Sequence, residues 1–317
     1  MRLIVERRSL HSASLRSASV GTTGDSKCSR LFLGIDAGGT HCRARLVDEA
    51  GRILGSGRAG PANLTLGIEP AHRAIMLAAG EAFATAGLGR PMMRRTHAGM
   101  GVAGIDDPVL AEAIGRRRFG FASVTLRSDA ITACIGAHGE RDGGLLILGT
   151  GSQGVVRRGR RFHRVGGWGF MISDQGSAAV LGHGALRRAL LAHDGVLPAS
   201  PLTRRLMRRF DNDPKQMLPW ARRATPAEWG EISPLVFAAA DNDDPVAGQL
   251  VADAVADVGR LLDRMVKLGA QRIALVGGLS QSYARHLPRR WTRVLVPPQR
   301  DALAGAIDLA RQAAGHT

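Results

Sequence analysis

The sequence predicts a duplicated, two-domain α/β protein with a cleft between its halves, and three observations lead there. The 317 residues suffice for roughly two domains of ordinary size, each with its own core. From Leu31 onward, apolar strand-like runs alternate with segments of helical period. Two strand–turn–strand units of the same form head the two halves, "LFLGIDAGGTHCRARLVD" at 31–48 and "GLLILGTGSQGVVRRGRR" at 144–161.

Residues 1–30 stand apart from these elements. They are rich in serine and arginine, poor in acids and without apolar periodicity, as in a disordered tail, a transit peptide or a reading frame begun too early, and they are set outside the fold. The first domain is expected over 31–137. It opens with the hairpin at 31–48 and continues in "AHRAIMLAAGEAFATAG" (71–87), where Ile75, Ala79, Ala82 and Ala86 recur at helical spacing. "THAGMGVAG" and "SVTLRSD" follow as buried strands. The second domain is expected over 138–301. After its hairpin comes a helix at about 246–268 with Leu250, Ala254, Val258, Leu261 and Met265 on one face, then the short strand "RIALVGG" (272–278). A closing helix over 302–316 is expected to pack back on the first domain.

Composition narrows the function classes. The three cysteines, Cys28, Cys42 and Cys134, have no Cys-x-x-Cys or Cys/His spacing, which argues for a reducing, cytoplasmic compartment and against a zinc or iron–sulfur site. No apolar run approaches the ~20 residues of a membrane span. The net charge is +16 and almost wholly arginine, with lysine only at Lys27, Lys215 and Lys267. Its runs, Arg116 to Arg118, "RRGRR" (157–161) and "RRLMRR" (204–209), are dispersed and lack interleaved aromatics, so they read as solvated faces and not as a nucleic-acid surface.

The chemistry-bearing residues sit at strand ends. In "GIDAGGT", Gly38 and Gly39 let the backbone approach an anion and aim amide groups at it, and Thr40 adds a hydroxyl donor. Asp36, ending the strand, is placed to bind the magnesium ion that accompanies a nucleotide. Thr150 in "LGTGS" repeats the arrangement in the second half. Either turn alone reads equally as a tight hairpin, but two facing each other across a cleft point to nucleotide phosphates. There is no G-x-x-x-x-G-K-[ST] loop. Gly277 and Gly278, after the strand "RIALV", are either an ordinary strand-to-helix turn or a place for an adenosine moiety against the backbone.

Asp129, following the strand "SVTLRS", is either a helix cap or a carboxylate that orients a substrate hydroxyl and accepts its proton as it meets the terminal phosphate. In "VGGWGFMISDQGS", Trp168 and Asp174 pair an amphipathic ring with an acid, a combination that binds a sugar. The plainer readings are a core tryptophan and a second helix cap.

In this order and at these separations, "GIDAGGT", "SDA", "GTGS", "GGWG" with "SDQGS", and "VGG" resemble the N-acetylglucosamine kinase-like (BadF/BadG/BcrA/BcrD ATPase) branch of the sugar kinase, actin and heat-shock-chaperone ATPase superfamily, from about Leu31 to about Ala310. Within that branch the bacterial glucosamine kinases are the most similar group, through "FASVTLRSDA", "ACIGAH", "SDQGS" and "LLAHDG".

The resemblance implies a ribonuclease H-like (actin-like ATPase) fold that closes about a hinge on sugar and ATP, excluding water from the transfer. It implies that Asp129 takes the proton of the sugar's 6-hydroxyl, and that Asn63 and Asp174 contact sugar hydroxyls while Gly167 and Trp168 line the pocket. It further implies that Gly38, Gly39, Thr40, Thr150, Gly151 and Ser152 hold phosphates, Asp36 the magnesium and Gly277 with Gly278 the adenosine. The expected activity is ATP-dependent phosphorylation of D-glucosamine at O6, and a homodimer is compatible with the resemblance. Two departures keep an N-acetylglucosamine kinase as the alternative. Ser173 and Gln175 stand where N-acetylglucosamine kinases carry "GDEGS", which favours a different group at C2, whereas "GGWG" has the N-acetylglucosamine kinase form. A non-catalytic sugar sensor is a further reading, opposed by the presence of both Asp36 and Asp129. The iron–sulfur dehydratase activators and the repressor-type sugar kinases need cysteine patterns this chain lacks.

Overall fold

The structure, a computed structural model, describes residues 30–315. They fall into two compact units. The first runs up to Gly139 and resumes from Gln299 onward, and the second is Glu140–Pro298. The stretch set aside in the sequence, residues 1–30, lies outside the described residues except for Arg30.

In the first unit, β1 (Leu31–Ala37), β2 (Cys42–Val47), β3 (Ile53–Ala59), β4 (Thr96–Val102) and β5 (Ser123–Arg127) form one sheet in the order β3-β2-β1-β4-β5. β1 is antiparallel to β2 and parallel to β4, which is parallel to β5. Helices α1 (Ile68–Thr85), α2 (Arg90–Met93) and α3 (Pro108–Gly115) lie between these strands, and α4 (Asp129–His138) follows β5. The sheet of the second unit, made of β6 (Gly143–Leu148), β7 (Ser152–Arg158), β8 (Arg161–Val165), β9 (Ile273–Val276) and β10 (Leu295–Val296), has the order β10-β9-β6-β7-β8. Counted from the hairpins, both sheets follow one plan: an antiparallel three-stranded meander whose first strand is extended by two parallel strands. This repeated topology is the duplicated two-domain α/β fold that the paired hairpins predict.

The second unit adds α5 (Ala178–His193), α6 (Pro201–Arg208), α7 (Pro214–Arg223), α8 (Pro226–Gly230), α9 (Ser233–Ala240), α10 (Pro245–Lys267), α11 (Ser280–His286) and α12 (Arg289–Thr292). α13 (Ala302–Ala313) belongs to the first unit, although it lies far along the chain from the strands it covers. Small residues permit that docking. A Cβ at Gly99 of β4 would overlap the Ala306 carbonyl, and one at Gly305 of α13 would overlap the Thr132 carbonyl of α4. Arg45 adds a two-pronged bond to Asp301, at 3.0 and 2.7 Å, ahead of the helix.

Two expectations about helices need correction, and one strand was not foreseen. α1 begins at Ile68, ahead of Pro70, because proline is tolerated in a helix's first turn, where its missing N–H would have no intrahelical acceptor. In α10 the buried face runs Leu250, Ala254, Val258, Leu262 and Met265, so Leu262 takes the core position expected of Leu261, which is half-buried. β10 is a two-residue strand with no periodicity to announce it.

Candidate active site

In the first unit the candidate residues gather at the carboxyl-terminal end of the parallel strands, where open α/β sheets hold their ligands. Asp36 of β1 lies beside Gly101 of β4, which lies beside Arg127 of β5, and Asp129 begins α4 two positions after Arg127. Gly101 is what admits this approach, because a Cβ there would overlap the Thr132 side chain of α4. Ser128 occupies the cap position of α4 without a side-chain cap bond and Asp129 is the first helical residue, so the capping reading of Asp129 does not hold.

The Asp129 carboxylate accepts the Ala130 N–H at 2.8 Å. Burial raises its pKa to about 6, a shift that the Ala130 N–H opposes and the nearby Asp36 charge reinforces. Asp36 accepts a 2.6 Å ion-pair hydrogen bond from Arg43, directly opposite it in the hairpin register. That bond holds the Arg43 guanidinium above its ordinary range.

The β1–β2 turn is closed by a Gly38 N–H bond to the His41 carbonyl, which leaves Gly39 and Thr40 exposed at its tip. Neither central residue has a positive φ, and a Cβ at Gly39 would meet nothing nearer than Asn63 Nδ2 at 4.0 Å. The chain's own packing therefore does not require glycine at 39. Asn63 is brought to the same end of the sheet. Its Oδ1 accepts the Thr65 N–H, while the Leu64 N–H bonds the Ala103 carbonyl beyond β4 and the Ala62 N–H bonds the Gly38 carbonyl.

In the second unit the β6–β7 turn lies on the start of α5. Ala178 and Ala179 donate backbone N–H groups to the Gly149 and Thr150 carbonyls, and Ser177 caps the helix through Val180 N–H. Asp174 is thus not the cap. It adopts a left-handed backbone, φ 64°, a conformation that aspartate tolerates better than most residues but that still carries strain. Its Oδ1 accepts the Gly169 N–H at 3.1 Å, and Oδ2 would lie 2.8 Å from a Cβ at Gly151. Burial raises the Asp174 pKa, opposed by that N–H and by Arg164.

Trp168 is 64% exposed, which overturns the core reading, and Arg164 stacks its guanidinium 4.1 Å from the ring centroid. Gly167 packs against Gln153 at φ 73°. Ser152, expected at the phosphates, is buried and donates its hydroxyl to the Gln175 carbonyl at 2.8 Å; in this arrangement it ties β7 to the Asp174 loop. Beyond β9, Gly277 has φ 100° and a Cβ there would overlap the Leu148 carbonyl, whereas Gly278 has nothing within 4 Å of that position.

Arg43, Gly101 and Arg164 escaped the sequence reading. Arg43 was recoverable: with Gly39 and Thr40 as a two-residue loop, counting back along the hairpin sets Asp36 opposite residue 43. Gly101 and Arg164 act through contacts that no local pattern encodes. The two described cysteines are buried, and the Cys42 thiol is pushed up to about 12 by burial, next by the Asp36 charge, so it is not a nucleophile at neutral pH. Among the described residues, no helix is long and apolar enough to cross a membrane.

The sequence pattern of the BadF/BadG/BcrA/BcrD ATPase family matches residues 33–307. Glucosamine kinase GspK of Vibrio cholerae serotype O1 is 37% identical over 279 residues, 88% of this chain and 95% of that protein. N-acetyl-D-glucosamine kinase of Dictyostelium discoideum is 30% identical over 179 residues, 53% of this chain and 56% of that protein. The crystal structure of a candidate N-acetylglucosamine kinase from Chromobacterium violaceum superposes with a TM-score of 0.82 at 33% identity, over 89% of this chain and 99% of that one. A ROK family glucokinase from Streptomyces griseus, in complex with glucose and AMPPNP, shares the fold at a TM-score of 0.54 and 22% identity, over 89% of this chain and 99% of that one.

Proposed function

We propose that this chain, which belongs to the BadF/BadG/BcrA/BcrD ATPase family, is an ATP-dependent amino-sugar kinase that phosphorylates D-glucosamine at O6. That it is a sugar kinase follows from its relatives. The choice of sugar rests on the 37% identity with a glucosamine kinase across 88% of the chain. The observation that carries the chemistry is Asp129, a half-buried carboxylate at the strand ends whose pKa of about 6 suits a general base near neutral pH.

In this reading Asp129 accepts the proton of the sugar's 6-hydroxyl as O6 bonds to the γ-phosphorus of ATP, and the bond from that phosphorus to the β–γ bridging oxygen breaks to release ADP. Asn63, Gly167, Trp168 and Asp174 hold the sugar: the carboxylate takes hydroxyl or ammonium hydrogens and the exposed ring covers C–H surface. The turns at Gly38 to Thr40 and at Thr150 and Gly151 receive the phosphates, Ser152 positions the Asp174 loop, and Gly277 with Gly278 bounds the adenosine. Magnesium fits the donor set as a water-rich ion, since such an ion needs only one or two carboxylates besides phosphate oxygens. Among the described residues no group of three or more His, Cys, Asp or Glu forms a metal cage, and Asp36 would supply a carboxylate to the ion. When bound, it would neutralise charge developing on the phosphates. The buried Cys42 and Cys134 suit a cytoplasmic setting. Phosphorus and carbon NMR of the product tests the regiochemistry: coupling of phosphorus to C6 is expected, and phosphate on any other carbon contradicts the placement of the base.

Two further predictions arise here. At saturating sugar, kcat/KM for ATP should fall as pH drops through about 6, tending to tenfold per unit, because protonated Asp129 accepts nothing. A flat profile between pH 5 and 8 would detach Asp129 from the chemistry. The adjacent glycines separate fold from ligand. Gly277→Ala forces a Cβ into the Leu148 backbone at positive φ and should cost more than about 2 kcal/mol in thermal unfolding. Gly278→Ala should stay within about 1 kcal/mol of the parent while raising KM for ATP. An unchanged KM in Gly278→Ala would remove adenosine from that turn.

A further inference from the structure

We propose that the first unit carries a second small-molecule site, for an amphipathic carboxylate of medium chain length, in a groove at the amino-terminal end of its parallel strands. α2 and Arg94 lie just before β4, and Phe119 with Gly120 just before β5. Around them open two hollows of about 710 and 420 Å³ that share Phe119 and Gly120 in their walls. Asp36 and Asp129 stand at the other end of the same strands; the seven residues of β4 alone span roughly 20 Å. The larger hollow is therefore separate from the catalytic set, while the smaller one continues along β5 as far as Leu126.

Its floor is apolar, made by Met76, Leu77, Phe83, Leu88, Met93 and Phe119. The larger hollow falls within the volume range of small-molecule pockets, and the flexible methionine side chains let such a floor adapt to a chain. Its rim is cationic. Arg73, Arg90 and Arg94 border the larger hollow and Arg118 the smaller, and no acid lines either one. Among the described residues none of these four arginines has a carboxylate within ion-pair distance, whereas neighbouring Arg117 is paired with Glu69 at 2.9 Å. An apolar trough with guanidinium forks at its edge is complementary to an aliphatic chain ending in a carboxylate.

Gly80 keeps one wall of the groove open. It lies inside α1, in the wall of the larger hollow, where glycine weakens a helix relative to alanine. Nothing in the unit comes within 4 Å of the position its Cβ would take. The position is exposed, so the missing side chain leaves room for a ligand to lie directly on the helix backbone. A second copy of the chain suits the groove less well, because a two-fold contact would set this arginine rim against itself.

The test is calorimetric titration of the full-length protein with dodecanoate, alongside uncharged dodecanol, in the parent, in Gly80→Leu and in Arg90→Glu/Arg94→Glu. Saturable binding of dodecanoate is expected, with dodecanol and the double variant each weaker by about tenfold or more, the scale of a lost charge-assisted hydrogen bond. Gly80→Leu should fold at least as stably as the parent, since leucine favours the helix and its Cβ meets no neighbour, yet lose the binding. No saturable heat with dodecanoate, or equal binding in Gly80→Leu, would overturn the proposal. So would sedimentation showing a dimer that Gly80→Leu dissociates, which would give the groove to a second copy.

Discussion

Asp129→Asn is expected to lower kcat by about a hundredfold or more, the usual scale for loss of a general base, while leaving ATP affinity unchanged and raising the melting temperature at pH 7.5. The first effect follows from replacing a proton acceptor with an amide that cannot take a proton. The last follows from linkage. The folded-state pKa of Asp129, about 6, lies above that of a free aspartate, so the fold binds this proton more tightly than the unfolded chain does. The stabilisation exists at acidic pH, below the unfolded value, and is lost as pH rises through about 6. At pH 7.5 the ionised carboxylate is a net cost to the fold, caused first by burial and then by the Asp36 charge, and asparagine removes it. A variant that gained stability and lost turnover together would carry the signature of a group held against its own preference for the sake of chemistry. Undiminished turnover would remove Asp129 from the mechanism, and a lowered melting temperature would contradict the cost assigned to its buried charge, since the asparagine oxygen can still accept the Ala130 N–H.

Asp174→Asn is expected to raise KM for glucosamine by about tenfold or more, as one charge-assisted hydrogen bond is lost, with KM for ATP unchanged. Asparagine keeps the shape, accepts the Gly169 N–H through its amide oxygen and tolerates the φ of 64°, so the loop around Gly169 and Gly151 should persist. What disappears is the negative charge offered to the sugar, whose C2 ammonium would feel it most. A loss confined to glucosamine, with a neutral sugar little affected, would place Asp174 near C2. A variant whose sugar affinity did not move would assign Asp174 to holding the loop alone.

The sheet plan was legible because it is local: each hairpin declares itself within eighteen residues through apolar alternation and a small-residue turn, and even the Asp36–Arg43 pair follows from counting. Asp129 was legible from its place after a strand, though only the structure separates the base from the cap by putting Ser128 at the cap position. Trp168 was read both as a sugar-binding ring and, more plainly, as a core tryptophan; its exposure excludes the core reading, and the Arg164 stacking that meets the ring has no periodicity to announce it. The Ser152 hydroxyl, expected at the phosphates, finds the Gln175 carbonyl, a partner twenty-three residues away that no local pattern announces. Gly39, Gly278 and Gly80 make the complementary case: only the space around them shows that the fold itself does not demand glycine there. The docking of α13 on β4 likewise depends on Gly99 and Gly305 meeting backbones remote in the chain.

The most direct test of the central reading is ADP formation by the purified protein with magnesium and ATP when glucosamine, N-acetylglucosamine and glucose are offered separately. The account predicts rapid, sugar-dependent turnover with glucosamine, abolished in Asp129→Asn. Preference for N-acetylglucosamine would keep the mechanism and change the substrate, as two of the relatives would suggest. Absence of turnover with any of the three sugars, from protein that still binds them, would contradict the kinase and leave a sugar sensor.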